Sequence, residues 1–276
     1  MAELESTSQH LTQNTKIKKM TKEWNVNQNN ASDYTDACTE FVESDGKFTS
    51  FKQDSRYKKI LEHVKRAESE LFIESMKCPE LITEDILESF KENDLYGTPE
   101  ILSYDFFGDI SPSTIRYIKN TLDIVDAFGK DIKNIVEIGG GYGGLCKTIS
   151  CMVDFDNYVI IDLPEAAALA QKYTSKFDSL SGRVQALPFP QLDVIEGIDL
   201  VISNYAFSEC SRSIQMKYYN DVILNSDNFY MIYNNITPEN INSTEYLSLA
   251  SESFDVTRES ETRPTNHIFY GRSKNV

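Results

Sequence analysis

Ile135-Val136-Glu137-Ile138-Gly139-Gly140-Gly141-Tyr142-Gly143-Gly144 reads as an apolar strand that carries an acid near its end and then enters a glycine turn. Such a turn brings backbone N–H groups and one carboxylate up to a nucleotide-bearing ligand. Gly139, Gly141 and Gly144 satisfy G-x-G-x-x-G, the dinucleotide fingerprint, but Gly139-x-Gly141-x-Gly143 fits equally well. Two ligand classes therefore compete for the turn, a dinucleotide and S-adenosylmethionine.

Charge separates them. A dinucleotide sets a doubly anionic pyrophosphate at this turn, whereas S-adenosylmethionine brings a sulfonium, an ammonium and one carboxylate. A carboxylate about 4 Å from a unit charge is worth on the order of 4 kcal/mol at an effective dielectric near 20. The sign is unfavourable toward phosphate and favourable toward ammonium, so Glu137 favours the methyl donor. The next apolar run, Tyr158-Val159-Ile160-Ile161, ends in Asp162, about 20 residues beyond the glycines, where either ligand needs an acceptor for its ribose hydroxyls. Asp162 would otherwise only cap the helix that begins near Pro164. A small short-chain reductase would carry Tyr-x-x-x-Lys on a helix, and neither Tyr218 nor Tyr219 has Lys at that offset.

The elements that must position these groups are legible in the patterning. Residues 1–30, rich in Ser, Thr, Gln, Asn and Lys, read as a flexible tail. Apolar positions Tyr57, Ile60, Leu61, Val64, Ala67, Leu71 and Phe72 predict one amphipathic helix from Arg56 to Met76. A shorter helix follows Thr83 as N-cap, and a third starts at Ser111-Pro112 and stops at Gly129. No strand signal of comparable strength precedes Ile135. After Asp131 short apolar runs alternate with helical stretches, the pattern of a parallel sheet covered on both faces. Strands are predicted at 134–138, 157–161, 183–187, 199–203, 228–233, 252–257 and 267–271. Helices are predicted at 143–152, 164–177, 212–222 and 238–250, with Pro164 and Pro238 in first turns. The chain thus divides into the tail, a helical cap over 31–130 and a cofactor domain over 131–276. That single sheet consumes the chain after residue 130, leaving no separate substrate domain.

Composition narrows the function classes. The 276 residues are 40% apolar, enough for a substantial core, with a formal charge of -16 that repels a phosphate backbone. The one basic stretch, Lys16 to Lys22, is short, so neither nucleic acid nor an anionic membrane surface is expected as a partner. No run reaches the roughly 18 apolar residues of a membrane helix, and Met1 to Asn30 lacks a secretory core, so cytoplasmic residence is expected. Cys38, Cys78, Cys146, Cys151 and Cys210 form no CxxC pair and predict reduced thiols rather than disulfides or a zinc cage.

Four segments carry a family resemblance: Ser111-Pro112-Ser113-Thr114-Ile115-Arg116-Tyr117, the Glu137–Gly144 turn, Asp162-Leu163-Pro164-Glu165, and Ser203-Asn204-Tyr205-Ala206-Phe207-Ser208-Glu209. Over roughly residues 100 to 271 the chain resembles the class I S-adenosylmethionine-dependent methyltransferases and, more narrowly, is similar to the sugar O-methyltransferase family. The resemblance implies a Rossmann-like α/β fold of seven strands in the order 3-2-1-4-5-7-6, the seventh antiparallel. It implies that Glu137 with Gly139, Gly141 and Gly143 holds the methionine part of the donor, that Asp162 holds the ribose, and that Leu163 and the Leu187-Pro188 turn flank adenine. Leu187-Pro188-Phe189 offers no acid after the third strand, so adenine is expected to rest there on apolar contact and backbone.

Methyl transfer to an alcohol is an in-line displacement that needs an aligned oxygen and a base. Of the three histidines, His10 lies in the tail and His63 on a charged helical face. His267 begins the last strand, which would run back to the donor edge if antiparallel. Glu209 follows the fourth strand with Asn204, Tyr205 and Ser208 beside the donor. Glu209 and His267 are therefore the expected bases. Tyr104, Arg116 and Tyr117 are expected to line the acceptor side, as are Ser208, Tyr233 and Asn234. With one acid between Asn204 and Glu209, no metal is expected. The expected acceptor is a sugar or other small molecule, with a homodimer as the assembly to consider. Transfer to an amine or peptide, a non-catalytic donor-binding scaffold, and a dehydrogenase stay open as alternatives.

Overall fold

Ile135, Val136 and Ile138 are each at most 1% exposed, which only a strand covered on both faces and flanked by two others allows. The computed structural model describes residues 28–190, 197–236, 239–262 and 265–275 and builds the chain around that strand. Helices α1 (Gln28–Glu43), α2 (Asp45–Phe48), α3 (Ser55–Lys58), α4 (Arg66–Glu74) and α5 (Glu84–Lys91) lead to a hairpin of β1 (Leu102–Tyr104) and β2 (Gly108–Ile110), then to α6 (Pro112–Phe128). There follow β3 (Asn134–Ile138), α7 (Gly144–Ile149), β4 (Asn157–Asp162), α8 (Pro164–Thr174), β5 (Val184–Pro188) and β6 (Ile198–Asn204). The chain closes with α9 (Ala206–Glu209), α10 (Arg212–Asp221), β7 (Ser226–Tyr233), α11 (Ser243–Ala250), β8 (Phe254–Ser260) and β9 (His267–Ser273).

The large sheet runs β5-β4-β3-β6-β7-β9-β8. Counting its strands alone, that is 3-2-1-4-5-7-6, the expected order. Strands β5 to β7 are parallel, and β9 is inserted antiparallel between β7 and β8, with Tyr230 opposite Tyr270 and Val256 opposite Gly271. Each of the seven predicted strands overlaps an observed one, with β8 displaced toward the C-terminus. Helix α11 starts at Ser243, where Asn242 accepts from the N–H groups of Thr244 and Glu245; Pro238 lies outside the described residues. The five cysteines are unpaired thiols. Among the described residues no helix is long and apolar enough to cross a membrane.

Helix α6 starts and stops where the sequence predicts. Ser111 Oγ accepts from Thr114 N–H at 3.1 Å, Pro112 fills the first position, and Gly129 ends the helix at φ 79° with its N–H on Val125 O. Asp94 completes the cap by accepting from Ser111 N–H and from the hydroxyls of Ser111 and Thr114, all at 2.7 Å. The helix is buried all round from Pro112 to Val125, not on one face, so its polar residues pair inside: Lys119 with Asp123, and Thr121 with Thr148.

Three expectations for the N-terminal part are corrected. The helix predicted from Arg56 to Met76 is two, α3 and α4, joined by a turn over 59–65. Of its apolar positions Tyr57, Val64 and Phe72 are buried and Leu61 half-buried, whereas Ile60, Ala67 and Leu71 are exposed. The hairpin β1–β2 precedes Ile135, its three-residue strands too short to show a pattern. The segment read as tail ends in helix: α1 starts at Gln28, while residues 1–27, with His10 and Lys16 to Lys22, lie outside the described residues.

Helix α1 lies along α8, tied by Lys172, whose ammonium donates to Phe41 O and Val42 O. Phe51, Tyr57, Tyr142 and Tyr173 pack edge to face, with centroids as close as 4.8 Å between Tyr142 and Tyr173. Asn93 links the hydroxyls of Tyr142 and Tyr173, and the buried Lys52 ammonium sits 4.5 Å from the Tyr142 ring while donating to Asn93 O. One hydrophobic core thus extends from Tyr34 to Tyr270, and the N-terminal helices grip the glycine turn through Tyr142.

Candidate functional site

The strand order reverses between β3 and β6, and open α/β sheets bind ligands at the carboxyl ends of strands beside such a switch point. A cavity of about 390 Å³ opens there, within the roughly 300–1,000 Å³ of small-molecule sites. Its floor is Glu137, Gly139, Gly140, Gly141, Asp162, Leu163, Asn204 and Tyr205. Those residues come from the ends of β3, β4 and β6, so the sheet alone brings together segments far apart in the chain.

The turn is built for close approach. Gly139 has φ 76°, and a Cβ there would stand 2.0 Å from Ala206 Cβ, so α9 packs directly on the backbone. Gly141 has φ 58°, its N–H donates to Asp162 Oδ2 at 2.9 Å, and a Cβ would meet Leu61 Cδ1 at 2.6 Å. Leu61, from the turn between α3 and α4, therefore covers the turn from above. Gly143 is placed differently from the expectation: it caps α7 in the left-handed region and faces Thr174, away from the cavity. Tyr117 and the buried ring of Tyr142 crowd Gly144, which does not line the cavity.

Three acceptors line the floor. Glu137 is 2% exposed, and burial pushes its carboxyl up to about 7 although Tyr158 O–H donates to it at 2.9 Å. Burial also raises Asp162, to about 6, against the N–H bonds from Gly141 and Leu163 that favour its charged form. Each Asp162 oxygen accepts one backbone N–H, which leaves about two of its four lone-pair sites for a ligand. Asn204 Oδ1 is buried with no hydrogen-bond partner in the protein. A buried acceptor left unmade costs about 1–3 kcal/mol, which a ligand donor would recover.

At the side of the floor Glu209 Oε1 accepts from Asn234 Nδ2 at 2.7 Å, and burial raises its carboxyl. Ser208 is buried and bonds Tyr205 O and Asn234 Oδ1, so it ties the loop after β6 to the end of β7 instead of facing the cavity. Tyr205 itself adopts φ 69°, a strained conformation for a tyrosine, and its hydroxyl donates to Glu261 Oε1 at 3.0 Å. The strain sits on a residue that lines the cleft.

The opposite lining comes from the N-terminal helices. Tyr34 of α1, Arg116 and Tyr117 of α6, and Lys59, Leu61, His63, Val64 and Phe72 from α3–α4 border the cavity. Arg116, Tyr117, Glu209 and Asn234, named from the sequence, all line the cavity. His63 corrects the sequence reading: it lies in the turn over the cavity, not on a charged helical face. Tyr34 was missed altogether, because its segment adjoins a polar tail and its apolar neighbours Ala37, Cys38 and Phe41 are its only signal.

Other candidates stand apart. His267 starts β9 opposite Tyr233 and Ser260, three strands from β3, about 14 Å across a sheet with 4.8 Å spacing, and does not line the cavity. Leu187 and Pro188 end β5, two strands away, and are likewise outside the lining. Tyr233 is buried against Tyr246 and Phe269, its hydroxyl bonded to Ile241 O. Tyr104 bonds Ser69 Oγ at 2.6 Å beneath the Arg66 guanidinium. Among the described residues no three His, Cys, Asp or Glu side chains converge as a metal site would require.

No family model and no curated protein matches the sequence. Among solved structures the chain is similar in part to the mitomycin 7-O-methyltransferase MmcR, at 14% identity and TM-score 0.46 over 59% of this chain. The matched part spans 55% of MmcR, about half its length. It is similar to the magnesium protoporphyrin IX methyltransferase ChlM from Synechocystis PCC 6803 with bound SAH, at 9% identity and TM-score 0.47 over 57% of this chain and 82% of that one. It is also similar to a SAM-dependent methyltransferase from Aquifex aeolicus, at 17% identity and TM-score 0.44 over 56% and 90%. Likenesses this distant carry no functional weight, and what the cleft binds follows from its own residues.

Proposed function

We propose that the cleft binds S-adenosylmethionine and that the protein transfers its methyl group to a hydroxyl of a sugar or sugar-containing small molecule. The observation that carries the donor is the floor itself. Two carboxyl groups and the Asn204 oxygen, unpartnered among the described residues, stand at a glycine turn whose first helical residue, Gly144, does not line the cavity. A pyrophosphate at this turn would meet the carboxyl of Glu137. The donor has a cation for Glu137, a ribose diol for Asp162 and no phosphate. When bound, it supplies an activated methyl on sulfur.

The chain's own part is alignment and proton removal. Glu209, held by Asn234, takes the hydroxyl proton as the acceptor oxygen attacks, and burial brings its carboxyl nearer the working pH of a base. The rings of Tyr117 and Tyr205 give the acceptor flat apolar faces suited to a sugar ring, and the resemblance to sugar O-methyltransferases supports that class. His63, at the same cavity, takes the place that the sequence reading gave to His267 as the second group near the acceptor oxygen.

Calorimetric titration with S-adenosylhomocysteine and, separately, NAD tests the donor. Binding of the first and not the second is expected; the reverse would replace the methyltransferase with an oxidoreductase. Incubation of host saccharide and metabolite extracts with isotopically labelled donor, read by mass spectrometry, tests the acceptor. A labelled ether on a sugar is expected, a labelled amine would move the reaction to nitrogen, and donor binding with no labelled product would leave a scaffold.

A further inference from the structure

Arg116 is the one arginine among the described residues that is buried, at 7% exposure, and it lines the cleft. Arg56, Arg183 and Arg212, all more exposed, each grip a carboxylate. The Arg116 guanidinium instead donates to the backbone oxygen of Leu61 at 3.2 Å and lies 5.3 Å from the centroid of the Tyr117 ring. Glu62 is the acid whose charge reaches it, yet the two form no ion pair. A guanidinium has five N–H donors and stays charged at any working pH; this one also bonds the Tyr117 side chain, and among the described residues no carboxylate is in ion-pair contact with it. A buried guanidinium that lines a cleft and touches no carboxylate is placed to take one from a ligand.

We propose that Arg116 is a carboxylate receptor of the cleft. A planar guanidinium matches the two oxygens of a carboxylate with parallel N–H bonds. Its surroundings place it beside the glycine turn: Leu61, which accepts from it, covers Gly141, and Tyr205, which also interacts with it, follows Asn204. With Glu137 on the floor, the cavity holds both signs of charge, the complement of an α-amino acid zwitterion. The carboxylate then belongs either to the amino-acid end of the donor, which rests on the S-adenosylmethionine reading, or to an acidic acceptor such as a uronic acid, which does not.

Arg116→Gln keeps a donor for Leu61 O and removes the charge; Arg116→Lys keeps the charge and removes the fork. The melting temperatures of ligand-free Arg116→Gln and Arg116→Lys establish that both variants fold. Calorimetry with S-adenosylhomocysteine and with 5′-methylthioadenosine, which lacks the amino-acid end, reads the donor side. Glucuronate against glucose, with S-adenosylhomocysteine present, reads the acceptor side. A roughly 10–100-fold loss for S-adenosylhomocysteine with methylthioadenosine unchanged assigns the donor carboxylate, and Arg116→Lys is expected in between. An unchanged donor affinity with loss of the preference for glucuronate assigns the acceptor. If wild type binds neither nucleoside, the donor reading fails and the two sugars alone decide Arg116. Equal losses for carboxylate and carboxylate-free probes, or no loss for any, overturn the proposal.

Discussion

Glu137→Gln should make the ligand-free protein more stable and its donor site worse. In the folded chain burial raises Glu137 to about 7 from an ordinary 4.5. Below pH 4.5 the carboxyl is protonated in both states and ionisation costs nothing. Between 4.5 and 7 the unfolded chain ionises while the folded chain stays protonated, so each pH unit removes about 1.4 kcal/mol of stability. Above 7 the penalty is constant. Relative to a neutral residue of the same shape, Glu137 costs about 1 kcal/mol at pH 5 and about 3 kcal/mol at pH 8. Gln still accepts from Tyr158 O–H, so the hydrogen bond is conserved. At about 2–4 °C per kcal/mol for a chain of this size, the variant should melt roughly 6–12 °C above wild type at pH 8 and only about 2–4 °C above it at pH 5. Differential scanning calorimetry at the two pH values, with titration of S-adenosylhomocysteine alongside, provides the measurement. A variant that melts at or below wild type at pH 8, or that binds the nucleoside as tightly, would refute an uncompensated buried carboxylate waiting for a cation.

In wild type the same ionisation makes donor affinity rise with pH and level off near 7, a slope that Glu137→Gln should flatten in calorimetric titrations. Tyr158→Phe removes the bond that favours the charged carboxylate, so the plateau should move to higher pH. Glu209→Gln should lower kcat by about 10²-fold or more, the usual scale of a lost base, with donor affinity kept, whereas His267→Gln should leave kcat within a factor of about 2. Steady-state assays with labelled donor decide between them; the reverse order would return the base to β9. Gly139→Ala, which adds a clash with Ala206 to a positive φ, should cost about 3 kcal/mol or more, while Gly182→Ala at φ 74° with nothing within 4 Å should cost about 1–2 kcal/mol in urea unfolding.

Much of the sheet was legible because each strand announces itself locally: an apolar run such as Tyr158 to Ile161 between turn residues has no helical alternative of that length. The floor was legible for the same reason, since Glu137, the glycines, Asp162 and Asn204 all stand at strand ends. What the sequence hid depends on distances between elements. His267 sits at the predicted edge of the sheet, but three strands away, and only the lateral spacing excludes it. The break at 59–65 was hidden because apolar spacing does not record whether the backbone is continuous, and no Gly or Pro lies between Arg56 and Met76 to mark it. Lys65 N–H donates to Glu68 Oε2, a start signal that reads equally as a helical pair.

That break is what completes the cleft. A continuous helix from Arg56 to Met76 would carry its backbone donors and acceptors inward and satisfied, with no carbonyl to offer Arg116. The turn instead lays Leu61 on Gly141 and turns its carbonyl to Arg116. Behind it, Phe51 and Tyr57 pack on Tyr142, so the N-terminal helices fix the glycine turn from one side and cover it from the other. The acids on the floor weaken the empty protein at neutral pH, and Tyr205 adds backbone strain beside them. The aromatic packing that spans the glycine turn and the N-terminal helices offsets those costs, and it does so through residues that never touch the cavity floor. Stability and binding are therefore written in different residues of the same turn, Tyr142 for the first and Glu137 for the second, which is why the two can be separated by substitution.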